Sequence, residues 1–152
     1  MSRCNAESLK EIAAACPGFQ ARATARAVTR YYNACFKPLG LTAEQFSLLV
    51  GIGAAEGATL VELADRAGVD ATTLSRNVRN LEKRGIIRAD GGRGRAGKRL
   101  SLTKSGNQLM ADTVPAWDRA KEELSHRLGD EQLRSVKRAM AALAEAAKSP
   151  RI

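Results

Sequence analysis

Histidine is almost missing from this chain. Its 152 residues include one, His126, in a charged stretch near the C-terminal end. No Cys or Asp stands near it at ligand or triad spacing, so histidine-based catalysis finds no support and a surface or interface side chain is the simpler reading. Cysteine is scarce as well: Cys4, Cys16 and Cys35, all in the N-terminal quarter. No pair has Cys-x-x-Cys spacing, which argues against structural zinc. An odd count in a reducing compartment reads as free thiols. There is no glycine loop followed by Lys-Ser or Lys-Thr. The glycine-rich run GGRGRAG belongs to a hairpin rather than to a strand-to-helix turn, so a nucleotide cradle is not expected. No run approaches the ~20 apolar residues that span a bilayer. Met1 to Phe19 has no unbroken apolar core of signal length. The expectations are a cytoplasmic protein that is not an enzyme, with no metal, no cofactor and no membrane partner.

Acidic residues are outnumbered. Asp and Glu total 16 against 25 Lys and Arg, a formal net charge of +9. That balance suits a polyanionic partner. The length fits one domain, 1–152, with room for a core.

The basic residues concentrate in one stretch, Thr59 to Thr103. Leu60, Leu63, Ala64 and Ala67 recur at helical spacing and predict a short helix. Gly68 follows, where a left-handed residue ends a helix most easily. Val69 reads as a buried turn residue and Asp70 as the N-cap of a second helix. In that helix Leu74, Val78 and Leu81 mark the inward face. At ~100° per residue, Thr72, Arg76, Arg79 and Lys83 lie opposite, with Ser75 on one flank and Thr73 and Asn80 on the other. Arg can fork onto guanine, and Thr can meet a thymine methyl or a phosphate. Two helices across a glycine turn, the second bearing those groups, make a helix-turn-helix. Ile86-Ile87-Arg88 then reads as a strand and Arg99 to Leu102 as its return. The flexible tip between them carries Arg93 and Arg95, with Lys98 and Arg99 beside it, and can reach a narrow minor groove. Together these elements form a winged helix.

ELADRAGVDATTLSRNVRNLEKRGII, a basic wing and LSLTKSG together resemble the multiple-antibiotic-resistance regulator (MarR) family. The upstream KPLGLTAEQFSLL is similar to the segment preceding the helix-turn-helix there. The resemblance runs from about Cys16 to the C-terminus. It implies a homodimer with a winged helix in each subunit, and repression relieved by a ligand or by oxidation. Family members often carry an Asp before the wing-tip Arg, where this chain has Gly94 before Arg95. Cys16 resembles in rough position the reactive cysteine of the organic-hydroperoxide branch, which sits near tyrosines; Tyr31 and Tyr32 are the tyrosines here. Cys16, Tyr31 and Tyr32 are thus candidates for redox or effector sensing. Cys16 also precedes Pro17-Gly18 near a helix terminus, where a thiolate is stabilised. A packed, inert Cys16 is the simpler alternative. Cys35 reads as core. Cys4 could pair with Cys16 on oxidation or join it in binding a soft metal.

The flanks read as helices. Met1 to Lys10 is polar, Leu9 to Cys16 suits a short helix, and Phe19 to Phe36 a longer one. The inner stripe of the longer helix is Val28, Tyr31 or Tyr32, and Cys35 or Phe36. Arg22, Arg26 and Arg30 share another face, read as solvated unless it serves an anion. Lys37 to Gly40 is a break. Thr42 with Gln45 forms a capping box for a helix carrying Phe46, Leu49, Val50 and Ile52. Gly51 and Gly53 suit close helix approach, and Gly57 its end. Thr103 opens a long helix with Leu109, Thr113, Trp117, Ala120, Leu124 and Leu128 on one side and an expected kink at Pro115. Asp130 reads as the cap of a last helix whose seam is Leu133, Val136, Met140, Leu143 and Ala147. Apolar seams at both chain ends suit a two-fold dimer.

The expected architecture is mainly α: a winged helix-turn-helix over 39–103 with a two-stranded wing. Dimerisation helices flank it over 1–38 and 104–152. The expected partners are double-stranded DNA, a second copy of the chain, and a small-molecule or oxidant effector. The expected function is a homodimeric repressor released from a pseudo-palindromic operator by a small ligand. A thiol-based sensor using Cys16 and a non-specific architectural DNA-binding protein are the alternatives. Thr72, Thr73 and Arg76 are the expected base readers. Ser75, Arg79 and Lys83 are expected on phosphates, and Arg93, Arg95 and Lys98 belong to the wing.

Overall fold

A computed structural model describes residues 5–94 and 97–148. Cys4 and Arg95 lie outside the described residues. Seven helices and a two-stranded sheet follow in the order α1 (Ala6–Ala15), α2 (Pro17–Phe36), α3 (Ala43–Ala54), α4 (Leu60–Ala67), α5 (Ala71–Lys83), β1 (Ile87–Asp90), β2 (Arg99–Leu102), α6 (Lys104–Leu128) and α7 (Asp130–Ala146). A 3-10 turn, Lys37–Leu39, joins α2 to α3.

The helix starts follow local chemistry. The Asn5 side chain caps α1, and Pro17 opens α2 at its first turn, where a missing N–H costs nothing. Thr42 and Gln45 form the expected capping box on α3. Thr59 and Glu62 form a second box on α4, unread in the sequence. Asn33 on α2 accepts the Ala43 N–H at 2.7 Å and fastens α3 to α2. At the C-terminal end of α4, Gly68 is left-handed with φ of 65°, as its position predicts.

The core lies where α2, α3, α4, α5, the sheet and α6 converge. Phe36, Leu49, Ile52, Leu81 and Leu100 are its most deeply buried apolar side chains. A ring series of Tyr31, Tyr32, Phe36 and Phe46 runs from α2 into α3. Small residues admit neighbours: Gly51 faces Leu63 of α4 and Gly53 faces Leu102 of β2. The wing strands pair antiparallel, Ile87 opposite Leu102 and Asp90 opposite Arg99. Thr59 bridges to Arg99, and the Leu100 N–H donates to the Ala58 carbonyl at 3.0 Å, so the segment before α4 extends the sheet at its base.

Several expectations are corrected. Val69 is not buried; it is 41% exposed. Val50 and Val28 are also exposed, and Leu48 is buried in the stripe where Val50 was expected. β1 begins at Ile87, because the Ile86 N–H donates to Leu81 in the turn ending α5. α6 runs unbroken through Pro115, with Leu128 exposed near its end. Asp130 is the first residue of α7 rather than its cap; its carboxylate accepts the Ser125 hydroxyl across the turn. α7 packs on α6 and has no buried residue, with Met140 and Leu143 outward.

The L-T-x-x-G run docks α6 onto the end of the second helix of the helix-turn-helix. The Thr103 hydroxyl donates to the Gly85 carbonyl at 2.6 Å, and its N–H donates to the Ile86 carbonyl at 3.1 Å. Gly106 caps this contact: a Cβ there would stand 2.1 Å from the Ile86 carbonyl oxygen, a backbone atom already held by the Thr103 N–H. Gly68 has open space instead and is constrained only by its positive φ. Gly106→Ala should therefore cost about 3 kcal/mol by forcing backbone apart, and Gly68→Ala about 1 kcal/mol through left-handed strain. Denaturant unfolding of the two variants checks this. The opposite order would mean that α6 is not seated on Ile86.

Candidate nucleic-acid interface

α5 presents two chemically different sides. Leu74 is 8% exposed, Val78 2% and Leu81 0%, so one stripe is sealed in the core. Thr72, Thr73, Arg76, Arg79 and Lys83 are exposed, and Ser75 is half-buried at the flank. Thr72, Ser75, Arg76, Arg79, Asn80 and Lys83 line one concave groove along the helix. The structure thus gathers six of the expected contact residues on α5, five of them facing one groove. Arg93 and Lys98 are exposed on the wing, while Arg95 lies outside the described residues.

The ends of α5 are fixed. The Asp70 carboxylate accepts the Thr73 N–H at 2.9 Å and the Thr73 hydroxyl at 2.7 Å. Thr73 therefore has its hydroxyl committed to the cap, and its methyl is what remains to meet a base. Those hydrogen bonds hold Asp70 below the usual carboxylate range, the Thr73 hydroxyl first and the Thr73 N–H second. The wing is tied at its base, where Arg99 Nη1 donates to the Gly57 carbonyl at 2.8 Å. Arg88 Nε and Asp90 Oδ2 pair at 2.5 Å on the first strand.

One contact escaped the sequence reading. Gln45, the capping residue of α3, also donates from Nε2 to Asn80 Oδ1 at 3.2 Å. Asn80 lies one turn after Arg76, about 40° round the helix, so its place beside the basic face was legible. Its partner on another helix was not.

A second concavity of 780 Å³ opens on the other flank of α5, among α2, α3 and α4. Val28, Tyr32, Val50, Leu63 and Val69 give it an apolar wall, and Glu44 and Arg66 supply charges. The three valines that are exposed against expectation all line it.

Cys16 and the tyrosines are not brought together within the chain. Cys16 is half-buried at the N-cap of α2, and Tyr31 and Tyr32 stand fifteen and sixteen residues on, ~22–24 Å along the helix. Tyr31 instead donates to the Ala120 carbonyl at 2.9 Å and to Glu123 at 3.1 Å, joining α2 to α6. Partial burial first, and the Glu123 carboxylate second, push its phenol up to about 12. Cys35 is half-buried against the core. Among the described residues no group of three or more His, Cys, Asp or Glu could hold a metal ion. No described helix is long and apolar enough to cross a membrane.

The MarR family profile matches residues 39–96, the span from the 3-10 turn to the wing tip. The transcriptional regulator MosR of M. tuberculosis is 34% identical, with 88% of this chain and 96% of MosR covered and a TM-score of 0.78. The chain belongs to the MarR family. MosR in complex with DNA matches over 90% of this chain and 99% of MosR, again at 34% identity and a TM-score of 0.78. The reduced form of MarR from E. coli, at 22% identity, covers 84% of this chain and 95% of its own and shares the fold with a TM-score of 0.68. No curated protein sequence matches. As a MarR-family member the chain is a DNA-binding transcriptional regulator with a winged-helix fold, and its family and structural neighbours are regulators of transcription.

The Asp70 cap carries a pH signature. Its folded pKa is depressed, so its contribution is fully present above the ordinary Asp value and is lost as pH falls through the lower, folded value. On acidification Asp70→Asn should therefore lose less thermal stability than the unmodified protein, the two curves converging at the acid end. Parallel curves would show that the cap does not titrate.

Proposed function

We propose that the protein is a homodimeric repressor that reads a pseudo-palindromic operator with α5 and is released by a small amphipathic ligand. The observation that carries the reading is the outward row of Arg76, Arg79 and Lys83 on a helix whose opposite stripe is sealed in the core. Two such helices related by a two-fold axis meet major grooves about one helical turn apart. Thr72, Thr73 and Arg76 read base edges. Ser75, Arg79 and Lys83 hold phosphates, and Arg93, Arg95 and Lys98 serve the minor groove or its rim.

The dimer is supported by apolar surface that one chain leaves in water. Leu9, Ile12 and Phe19 at one end of the chain, and Val114, Leu128, Met140 and Leu143 at the other, are all exposed. Dimerisation through 1–38 and 104–152 would cover them and leave 39–103 for DNA. Ligand release is supported by the 780 Å³ cleft, whose wall includes Thr73 and Leu74 of α5. A ligand bound there acts on DNA affinity only by preferring one placement of α5 over another. The Cys16 reading lacks a comparable observation.

Arg76→Ala should cost about 1–3 kcal/mol on a duplex selected from a random pool and relax the preference at one base pair. Lys83→Ala should weaken all duplexes alike and reduce the salt slope. Uniform loss in both variants would remove Arg76 as a reader. For the switch, an aromatic carboxylate that fits the cleft should raise the melting temperature and loosen DNA, and Arg66→Ala should abolish both effects. Release by peroxide that Cys16→Ser prevents, with no response to carboxylates, would replace the ligand reading by the thiol one.

A further inference from the structure

Gln45 is 9% exposed and serves two elements at once. Its Oε1 accepts the Thr42 N–H at 3.1 Å. A backbone N–H can only donate, so the oxygen end of this amide is fixed toward Thr42. The nitrogen end is thereby fixed as well, and it donates to Asn80 Oδ1 at 3.2 Å. Polarity passes on: Asn80 must keep its oxygen toward Gln45, so its Nδ2 points away from α3. Asn80 is exposed and lines the groove with Arg76, Arg79 and Lys83. The groove therefore receives an uncharged N–H donor of fixed sense among its cations.

We propose that Asn80 is a further DNA-contact residue and that Gln45 is its positioning residue. The amide donates to a phosphate oxygen, and the Gln45 hydrogen bond prevents the flip that would turn an oxygen toward the polyanion. The inference rests on the reading of α5 as the recognition helix. It makes the capping box of α3 part of the DNA interface, because one glutamine both starts α3 and sets the sense of a donor on α5.

Gln45→Glu separates the two roles. A carboxylate still accepts the Thr42 N–H, so the box survives, but it cannot donate to Asn80. Asn80 would then turn its nitrogen inward and present oxygen outward. Binding is measured for unmodified protein, Asn80→Ala, Gln45→Glu and the double variant, on a duplex selected from a random pool and on an unrelated duplex, with melting temperature as the folding control. Asn80→Ala should bind both duplexes about tenfold more weakly, the size of one hydrogen bond to a charged group. Gln45→Glu should lose at least as much without losing melting temperature. The double variant should bind no worse than Gln45→Glu alone, with its added loss over Asn80→Ala within about twofold, since a positioning residue without its target has nothing to set. Multiplying losses would mean that the new charge itself repels DNA, and would overturn the positioning role. Unchanged affinity in Asn80→Ala, with Arg76→Ala still impaired, would overturn this inference alone. Failure of the unmodified protein to bind any duplex would overturn the recognition-helix reading too.

Discussion

Three apolar side chains decide which way α5 faces. Leu74, Val78 and Leu81 enter the core made by α3, α4 and β1, and Leu81 has no exposed surface at all. Turning the helix by one residue, ~100°, would bring that stripe toward water and drive guanidinium groups inward. Exposing a buried aliphatic side chain costs roughly 1.5–3 kcal/mol, and burying an unpaired charge costs more. The orientation of the basic face is thus set by hydrophobic burial in the unbound protein. DNA meets groups already in place, which removes much of the ordering cost of association.

Rotation is only one freedom, and others are restrained by polar contacts around α5. Asp70 caps its start. Its last turn runs into the Gly85–Ile86 segment, where Thr103 and Gly106 seat the N-terminus of α6. On the side, Gln45 holds Asn80. Apolar contacts choose the face, and hydrogen bonds, being directional, help to fix position along and across it.

Much of this was legible because it is local. A cap needs a side-chain oxygen three residues before an N–H, so Thr42 with Gln45, Asp70 and Thr103 announce themselves in sequence. Periodicity identified the buried stripe of α5 because that helix packs on one side alone. The same logic misplaced Val28, and apolar character alone misplaced Val50 and the turn residue Val69. Periodicity reports that a side chain is apolar, and cannot distinguish a packed core from the wall of a cleft. Asp130 misled because a carboxylate beside a glycine reads as a cap, whereas its carboxylate takes the Ser125 hydroxyl. The role of Gly106 is tertiary: nothing in LTKSG says that a carbonyl from twenty residues earlier occupies the space of a Cβ. The second duty of Gln45 was hidden for the same reason, since its partner lies 35 positions away.

The two concavities beside α5 share a wall. Asn77 lines both, Thr73 and Leu74 line the apolar cleft, and Arg76 and Asn80 line the basic groove. One helix therefore separates a site suited to an amphipathic molecule from a surface suited to phosphate. No long relay is needed to couple them. Under the proposed switch, a ligand that wedges α4 from α3 on one side would act on a helix whose other side fits a groove. Thr73 stands at the junction: its side chain belongs to the Asp70 cap, and its residue lines the cleft. Displacing it would loosen the N-terminal turn of α5, where the proposed readers Thr72 and Thr73 lie. Coupling through a cap is sensitive, because a helix end held by a few exposed hydrogen bonds opens at far lower free energy than a core.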